Sequence, residues 1–185
     1  LLKKKLYKEK ENTEIKMVIA LRVSNLTKEF GGKPILYNIS FEVQKGEIFG
    51  VIGMSGSGKT TLLNHLIGFL EPDEGSVMYR PGYALDSEVE MKGLQKNLPE
   101  VKKLFGFAPQ TPSFYPKLTV YENLIHFGGL YHLNPKTIGQ NIANLLKMTQ
   151  LEAHKNKISE HLSGGQQRRL SIICGAIHKP EVLIL

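Results

Sequence analysis

Apolar positions change rhythm several times along the chain, and each rhythm predicts a different element. Over VIALRVSNLTKEF, residues 18–30, they recur at short intervals and stop at Gly31-Gly32, while ILYNISFEV, residues 35–43, alternates apolar with polar up to Gln44-Lys45-Gly46. Both patterns predict antiparallel strands with one wet face. Residues 47–52, EIFGVI, are continuously apolar after the glutamate and run into a glycine-rich loop, which predicts a central parallel strand covered on both faces. Beyond the loop, Leu62, Leu63, Leu66, Ile67 and Leu70 fall at helical spacing until Glu71-Pro72-Asp73-Glu74-Gly75 stops them, and SVMY follows as a short strand.

Residues 81–103 are rich in Pro, Gly, Lys and Glu with weak helical periodicity, and read as a surface excursion before the apolar segment 104–108. The pattern then turns helical. Thr119 and Glu122 have the spacing of a capping box, and Asn134-Pro135 places cap and proline in their preferred order before a stripe of Ile138, Ile142, Leu145 and Leu146. Residues 111–160 therefore read as a helical insertion, followed by a helix over 166–177. Val182, Leu183, Ile184 and Leu185 read as a strand buried on both faces, so further chain is expected beyond it.

Composition narrows this picture modestly. A chain of 185 residues with 41% hydrophobic content supports a domain of ordinary size with a real core. The net charge of +7 suits an anionic partner, but +3 of it sits in the first sixteen residues, LLKKKLYKEKENTEIK, which read as a solvated basic tail. The single cysteine, Cys174, excludes an internal disulfide and lies in an apolar helical stretch, as a packing residue would. No apolar run approaches the roughly 20 residues of a membrane span, and LLKKK is not followed by a signal-peptide core.

The candidate chemistry lies in two glycine-rich motifs. Gly53-Met54-Ser55-Gly56-Ser57-Gly58-Lys59-Thr60 fits G-x-x-x-x-G-K-[ST] between a predicted strand and a predicted helix. Glycines let successive N–H groups wrap a triphosphate, and the helix N-terminus adds its positive end. Lys59 supplies charge to the outer phosphates, and the Thr60 hydroxyl is placed to ligate magnesium, with Thr61 next to it. Many protein classes share that cradle. The second motif, Leu162-Ser163-Gly164-Gly165-Gln166, followed by Gln167-Arg168-Arg169, sets a hydroxyl and two bare N–H groups at another helix start.

With GMSGSGKT upstream, LSGGQ resembles the signature motif of the ATP-binding cassette (ABC) family, and the likeness spans roughly residues 18–185. It implies an α/β fold of the P-loop NTPase, ABC type, with a parallel core sheet, an N-terminal antiparallel β subdomain and a helical insertion, the C-terminal part being absent. The implied divisions are a tail at 1–16, a nucleotide-binding core at 17–110, a helical subdomain at 111–165, and a signature helix and strand at 166–185. Phe30, in KEFGG, resembles the aromatic that stacks on adenine. Gln110, in FAPQ, resembles the glutamine that approaches magnesium and the terminal phosphate. Ser163, Gly164, Gly165 and Gln166 would close in trans over ATP held by a second cassette, while Arg168 and Arg169 read as solvated or structural.

The family continues such a final strand into Asp-Glu, which serves magnesium and the attacking water. Residues 1–185 stop one position earlier, and neither His161 nor His178 takes the place of the family's later histidine. The chain thus carries the binding half of an ATP-Mg site, and little ATPase activity is expected of these residues alone. The resemblance implies the ATP-binding subunit of a transporter, on the cytoplasmic face of a membrane through membrane-embedded partner subunits, with exporter-type systems nearest over FAPQTPSFYPKLTVYENLIHFGGLYHL. Two other readings stay open: a soluble ABC ATPase acting on ribosomes or nucleic acid, which no aromatic-basic interleaving supports, and a non-hydrolytic nucleotide-binding regulator.

Overall fold

The computed structural model describes residues 18–81, 90–97 and 102–185. They form two compact units divided between Lys102 and Lys103. The basic tail and most of the 81–103 excursion lie outside the described residues.

The first unit is built on an antiparallel sheet of β1 (Ile19–Phe30), β2 (Lys33–Gln44), β3 (Glu74–Tyr79) and β4 (Lys92–Gly93), in the order β2-β1-β3-β4. The uneven apolar spacing of β1 has a local cause. Leu21 and Val23 point inward at a period of two, then the ladder slips between Val23 and Leu26, so that Leu26 is buried after a step of three. Asn25 takes up the slip at φ 50° and is pinned from both sides, its N–H donating to Ser40 Oγ at 2.8 Å and its Oδ1 accepting from the same hydroxyl at 3.0 Å.

Helix α1 (Lys59–Leu66) is shorter than its apolar pattern predicts. Gly68 adopts φ 75°, and the N–H groups of Phe69 and Gly68 donate to the carbonyls of Asn64 and His65. That is a Schellman closure, which ends the helix before Leu70. Its last turn is tied to the sheet by Tyr79, whose buried hydroxyl donates to the Leu66 carbonyl at 2.5 Å. Burial alone holds that phenol well above its usual ionisation range.

Residues 47–52 form no strand, contrary to the sequence pattern: among the described residues they have no ladder partner, and Ile48 and Ile52 are 92% and 86% exposed. Apolar continuity marks what a segment can bury, whereas a strand also needs edges to pair with.

Ahead of β3, Asp73 accepts from Lys28 Nζ and from the Glu29 N–H, both at 2.7 Å. The Lys28 hydrogen bond first, then the backbone one, hold its pKa below the ordinary carboxylate value. A lowered folded-state pKa gives stability that is complete above the ordinary value and lost as pH falls through the lowered one. Acid unfolding of Asp73→Asn should therefore show a shallower loss of stability in that window than the native chain, and identical acid limbs would refute the assignment.

The second unit pairs β5 (Phe105–Phe107) in parallel with β6 (Val182–Ile184) and packs helices α2 (Val120–Leu130), α3 (Pro135–Thr149) and α4 (Gly164–Ala176) around one core. Val120 and Leu124, then Ile138, Ile142 and Leu146, then Leu170, Ile173 and Cys174 face one another there. Leu145 of the expected stripe is only partly buried against this core. Burial pushes the Cys174 thiol up to about 12, which keeps it a packing group. On β6, Ile184 is buried but Leu183 is 41% exposed, so the strand is not covered on both faces. No helix among the described residues is long and apolar enough to cross a membrane.

Helix starts are local events, and three match their sequence signals. Thr119 and Glu122 form a reciprocal capping box at α2, Asn134 accepts from the Thr137 N–H at α3, and Ser163 with Gln166 forms a second capping box at α4. Helix α1 differs from these, since it follows Gly58 at φ 88° with no side-chain cap.

Candidate functional site

In the first unit the loop 53–58 turns on a hydrogen bond from the Ser57 N–H to the Met54 carbonyl at 3.2 Å, with Gly56 and Gly58 at φ 76° and 88°. A Cβ on Gly53 would stand 2.6 Å from Ser57 Oγ, and one on Gly58 would stand 3.0 Å from both the Ile35 carbonyl oxygen and Leu36 Cδ2. At Gly58 the left-handed φ and the β2 backbone both favour glycine, whereas at Gly53 the nearest obstacle is the Ser57 hydroxyl, which can rotate away. Residues 53–57 and Thr60 are exposed.

Lys59 folds over this loop, donating from Nζ to the Gly53 carbonyl at 2.9 Å and the Met54 carbonyl at 2.6 Å, with Ser57 Oγ at 3.5 Å. Among the described residues no carboxylate pairs with it. The first N–H groups of an α-helix have no intrahelical acceptor, and here no side chain supplies one. Loop N–H groups, an uncapped helix start and an ammonium held by weak neutral acceptors make a donor set that fits a polyphosphate. The Thr60 hydroxyl, exposed on the first turn of the helix, could ligate its magnesium ion.

Phe30 closes β1 opposite Lys33, where the chain turns through Gly31 and Gly32. Its ring is half exposed, with Lys28 Nζ 5.5 Å from the centroid. Gly58 approaches β2 at Ile35 and Leu36, so the hairpin bearing Phe30 and the end of the phosphate loop meet on the first residues of one strand.

The second unit carries Gln110 and the LSGGQ segment. Gln110 is exposed, in a loop that leaves β5. At the start of α4 the Ser163 N–H donates to Gln166 Oε1 at 2.9 Å, and the Gln166 N–H donates to Ser163 Oγ at 3.4 Å. Gln166 Nε2 lies 2.8 Å from His154 Nε2, so this side chain is committed within its own chain. Gly164 and Gly165 are exposed, and a Cβ on either would meet nothing within 4 Å. Among the described residues, packing explains neither glycine.

The arginines after the motif, expected to be solvated or structural, both bond backbone carbonyls elsewhere in the second unit. Arg169 Nη1 donates to the Thr149 carbonyl at the end of α3, and Arg168 Nη1 reaches the carbonyls of Ala108 and Pro109. Bonds to carbonyls 20 residues away for Arg169, and 59 and 60 for Arg168, leave no mark in residue type or spacing. His178 stacks on Tyr131 at 3.5 Å and faces the Phe105 carbonyl through Nε2, and burial lowers its pKa. Among the described residues no three His, Cys, Asp or Glu side chains cluster to hold a metal.

The protein-family profile described as "ABC transporter" matches residues 36–185. A spermidine/putrescine import ATP-binding protein, PotA, of Fusobacterium nucleatum is 38% identical over 165 residues, which is 89% of this chain and 41% of that protein. The linearmycin resistance ATP-binding protein LnrL of Bacillus subtilis is 36% identical over 89% of this chain and 50% of its own. A Nod factor export ATP-binding protein I of Bradyrhizobium diazoefficiens is 32% identical over 90% and 51%. The chain thus spans about half or less of these relatives. Among solved structures, cbiO1 of Clostridium perfringens, described as part of the complex cbiONQ, superposes with a TM-score of 0.75 at 26% identity, over 90% of this chain and 65% of that one. The structure described as an ATP binding subunit of an ABC transporter gives 0.74 at 26%, over 89% and 65%.

Proposed function

This chain belongs to the ABC transporter family, and from that premise we propose that it is the nucleotide-binding part of a transporter's ATP-binding subunit. The observation that carries the reading is the contrast among helix starts. Of the α-helices among the described residues, α2, α3 and α4 are each closed by a side chain, while α1 opens uncapped behind a loop shaped by Gly53, Gly56 and Gly58 and covered by Lys59. In this reading Met54, Ser55, Ser57 and Thr61 complete the phosphate contacts through the loop and first helical turn, Thr60 and Gln110 serve magnesium, and Phe30 stacks on the base. Magnesium would supply charge neutralisation between the outer phosphates.

Gly164 and Gly165, which no packing among the described residues requires, suit close approach by something outside the chain. We assign that role to the ATP of a second cassette, docked head to tail with Ser163 at the contact. Hydrolysis, coupling to membrane-embedded subunits on the cytoplasmic face, and an exporter-type partner are the further parts of the proposal. The named relatives include both import and export proteins, so direction rests on the resemblance over residues 107–133 alone.

The test is ATP-dependent dimerisation of the full-length subunit, followed by sedimentation with and without MgATP. A shift from monomer to dimer on adding MgATP, lost in Gly165→Arg with nucleotide binding retained, is the expected result. A dimer indifferent to nucleotide, or salt-sensitive RNA binding in place of a membrane partner, would overturn the reading.

A further inference from the structure

Helix α4 holds the loop that carries Gln110 at both of its ends. At the start, Arg168 Nη1 donates to the Ala108 carbonyl at 3.3 Å and to the Pro109 carbonyl. At the end, the Ser113 N–H donates to Ser171 Oγ at 3.3 Å. Arg168 and Ser171 are three positions apart, hence on one face of the helix. Between these two attachments stand only Gln110, Thr111 and Pro112, all exposed. The start of the loop is also fixed from its other side, since the Ala108 N–H donates to the Ile184 carbonyl of β6 at 2.9 Å.

The choice of partners is informative. Among the described residues no carboxylate pairs with Arg168, so its charge is spent on two backbone carbonyls. Hydrogen bonds from a charged donor are worth about twice neutral ones, which makes this a firm attachment. Ser171 is buried, and its hydroxyl answers an N–H that has no other partner among the described residues. The same helix begins at Ser163. At about 1.5 Å per residue, Arg168 and Ser171 lie only about 8 and 12 Å along its axis from that end. A stiff helix of this length does not absorb a displacement of its first turn over so short a distance.

We propose that Arg168 and Ser171 are positioning residues that make the Gln110 loop follow the signature end of α4, so that docking of a partner at Ser163–Gly165 is registered at Gln110 of the same chain. The proposal rests on the reading that Gln110 approaches the magnesium and terminal phosphate.

The experiment is steady-state ATP hydrolysis by the full-length subunit, with Gln110→Ala as the reference. Arg168→Met should lower kcat about tenfold while leaving the KM for ATP within about twofold, the scale of one charge-assisted hydrogen bond. It should raise the magnesium concentration needed for half-activity as Gln110→Ala does. Arg168→Lys should recover part of the loss, and Ser171→Ala should move both quantities in the same direction by about threefold. The Arg168→Met/Gln110→Ala double variant should be no slower than Gln110→Ala alone, because both changes remove one function. Nucleotide-free melts identify a variant that fails to fold, in which case Ser171→Ala and Arg168→Lys carry the comparison. Multiplying effects in the double variant, or native behaviour of Arg168→Met and Ser171→Ala beside an impaired Gln110→Ala, overturn the clamp alone. A Gln110→Ala variant with native kcat and magnesium dependence overturns the underlying reading and the clamp with it.

Discussion

Lys59→Ala in the full-length subunit is expected to weaken MgATP binding by at least about 100-fold. In the structure its ammonium is held by the Gly53 and Met54 carbonyls of the loop it covers, at 2.9 and 2.6 Å, with no carboxylate competing for it among the described residues. A triphosphate would replace two neutral acceptors by charged ones. Each charge-assisted hydrogen bond contributes about 1.5–3 kcal/mol, so two of them lost together give at least the stated factor. The fold should hardly notice, since the bonds lost are to an exposed loop. Nucleotide titration measures the first effect and a nucleotide-free melt the second. Affinity within tenfold of native would remove Lys59 from the site, and a collapsed melt would make it a structural residue.

Gly106→Ala is expected to be the most damaging small substitution in the second unit. A Cβ there would sit 2.3 Å from the Gly175 carbonyl oxygen of α4, 2.7 Å from Pro180 Cγ and 2.9 Å from Leu183 Cδ1. The approach is glycine on both sides, because a Cβ on Gly175 would lie 2.8 Å from the Phe107 carbonyl oxygen. The nearest obstacle is backbone, so relief requires lifting α4 away from β5 and loosening the core around Leu170 and Ile173. Overpacking of this kind costs about 3 kcal/mol or more, a large part of the roughly 5–15 kcal/mol that holds a domain together. The melting midpoint should fall by about 10 °C, and a change below about 2 °C would show that helix and strand can part cheaply.

In the sequence nothing distinguishes Gly106 and Gly175 from the other glycines, of which there are 18 in all. A close approach between distant elements has no local pattern. The helix starts at Thr119, Asn134 and Ser163 were legible because cap and capped N–H lie within one turn, and the phosphate loop because its glycines and lysine act on their own neighbours. The family profile and the solved structures bear out the ABC fold inferred from the two motifs. The strand expected at 47–52 failed for the opposite reason, since pairing depends on what lies alongside. Helix α1 was overextended because its apolar spacing continues past Gly68, while the left-handed turn at that glycine ends the hydrogen-bond ladder. The attachments of Arg168 and Ser171 combine both difficulties: their partners are backbone groups, remote in sequence and indifferent to residue type.

The link between Tyr79 and the Leu66 carbonyl has an optical consequence. The chain has no tryptophan, so its near-ultraviolet absorption comes chiefly from seven tyrosines. Tyr79, the last residue of β3, is buried, and its hydroxyl donates to the carbonyl of Leu66 at the end of the phosphate-loop helix. Its chromophore is therefore a built-in spectral gauge of whether α1 is still seated on the sheet.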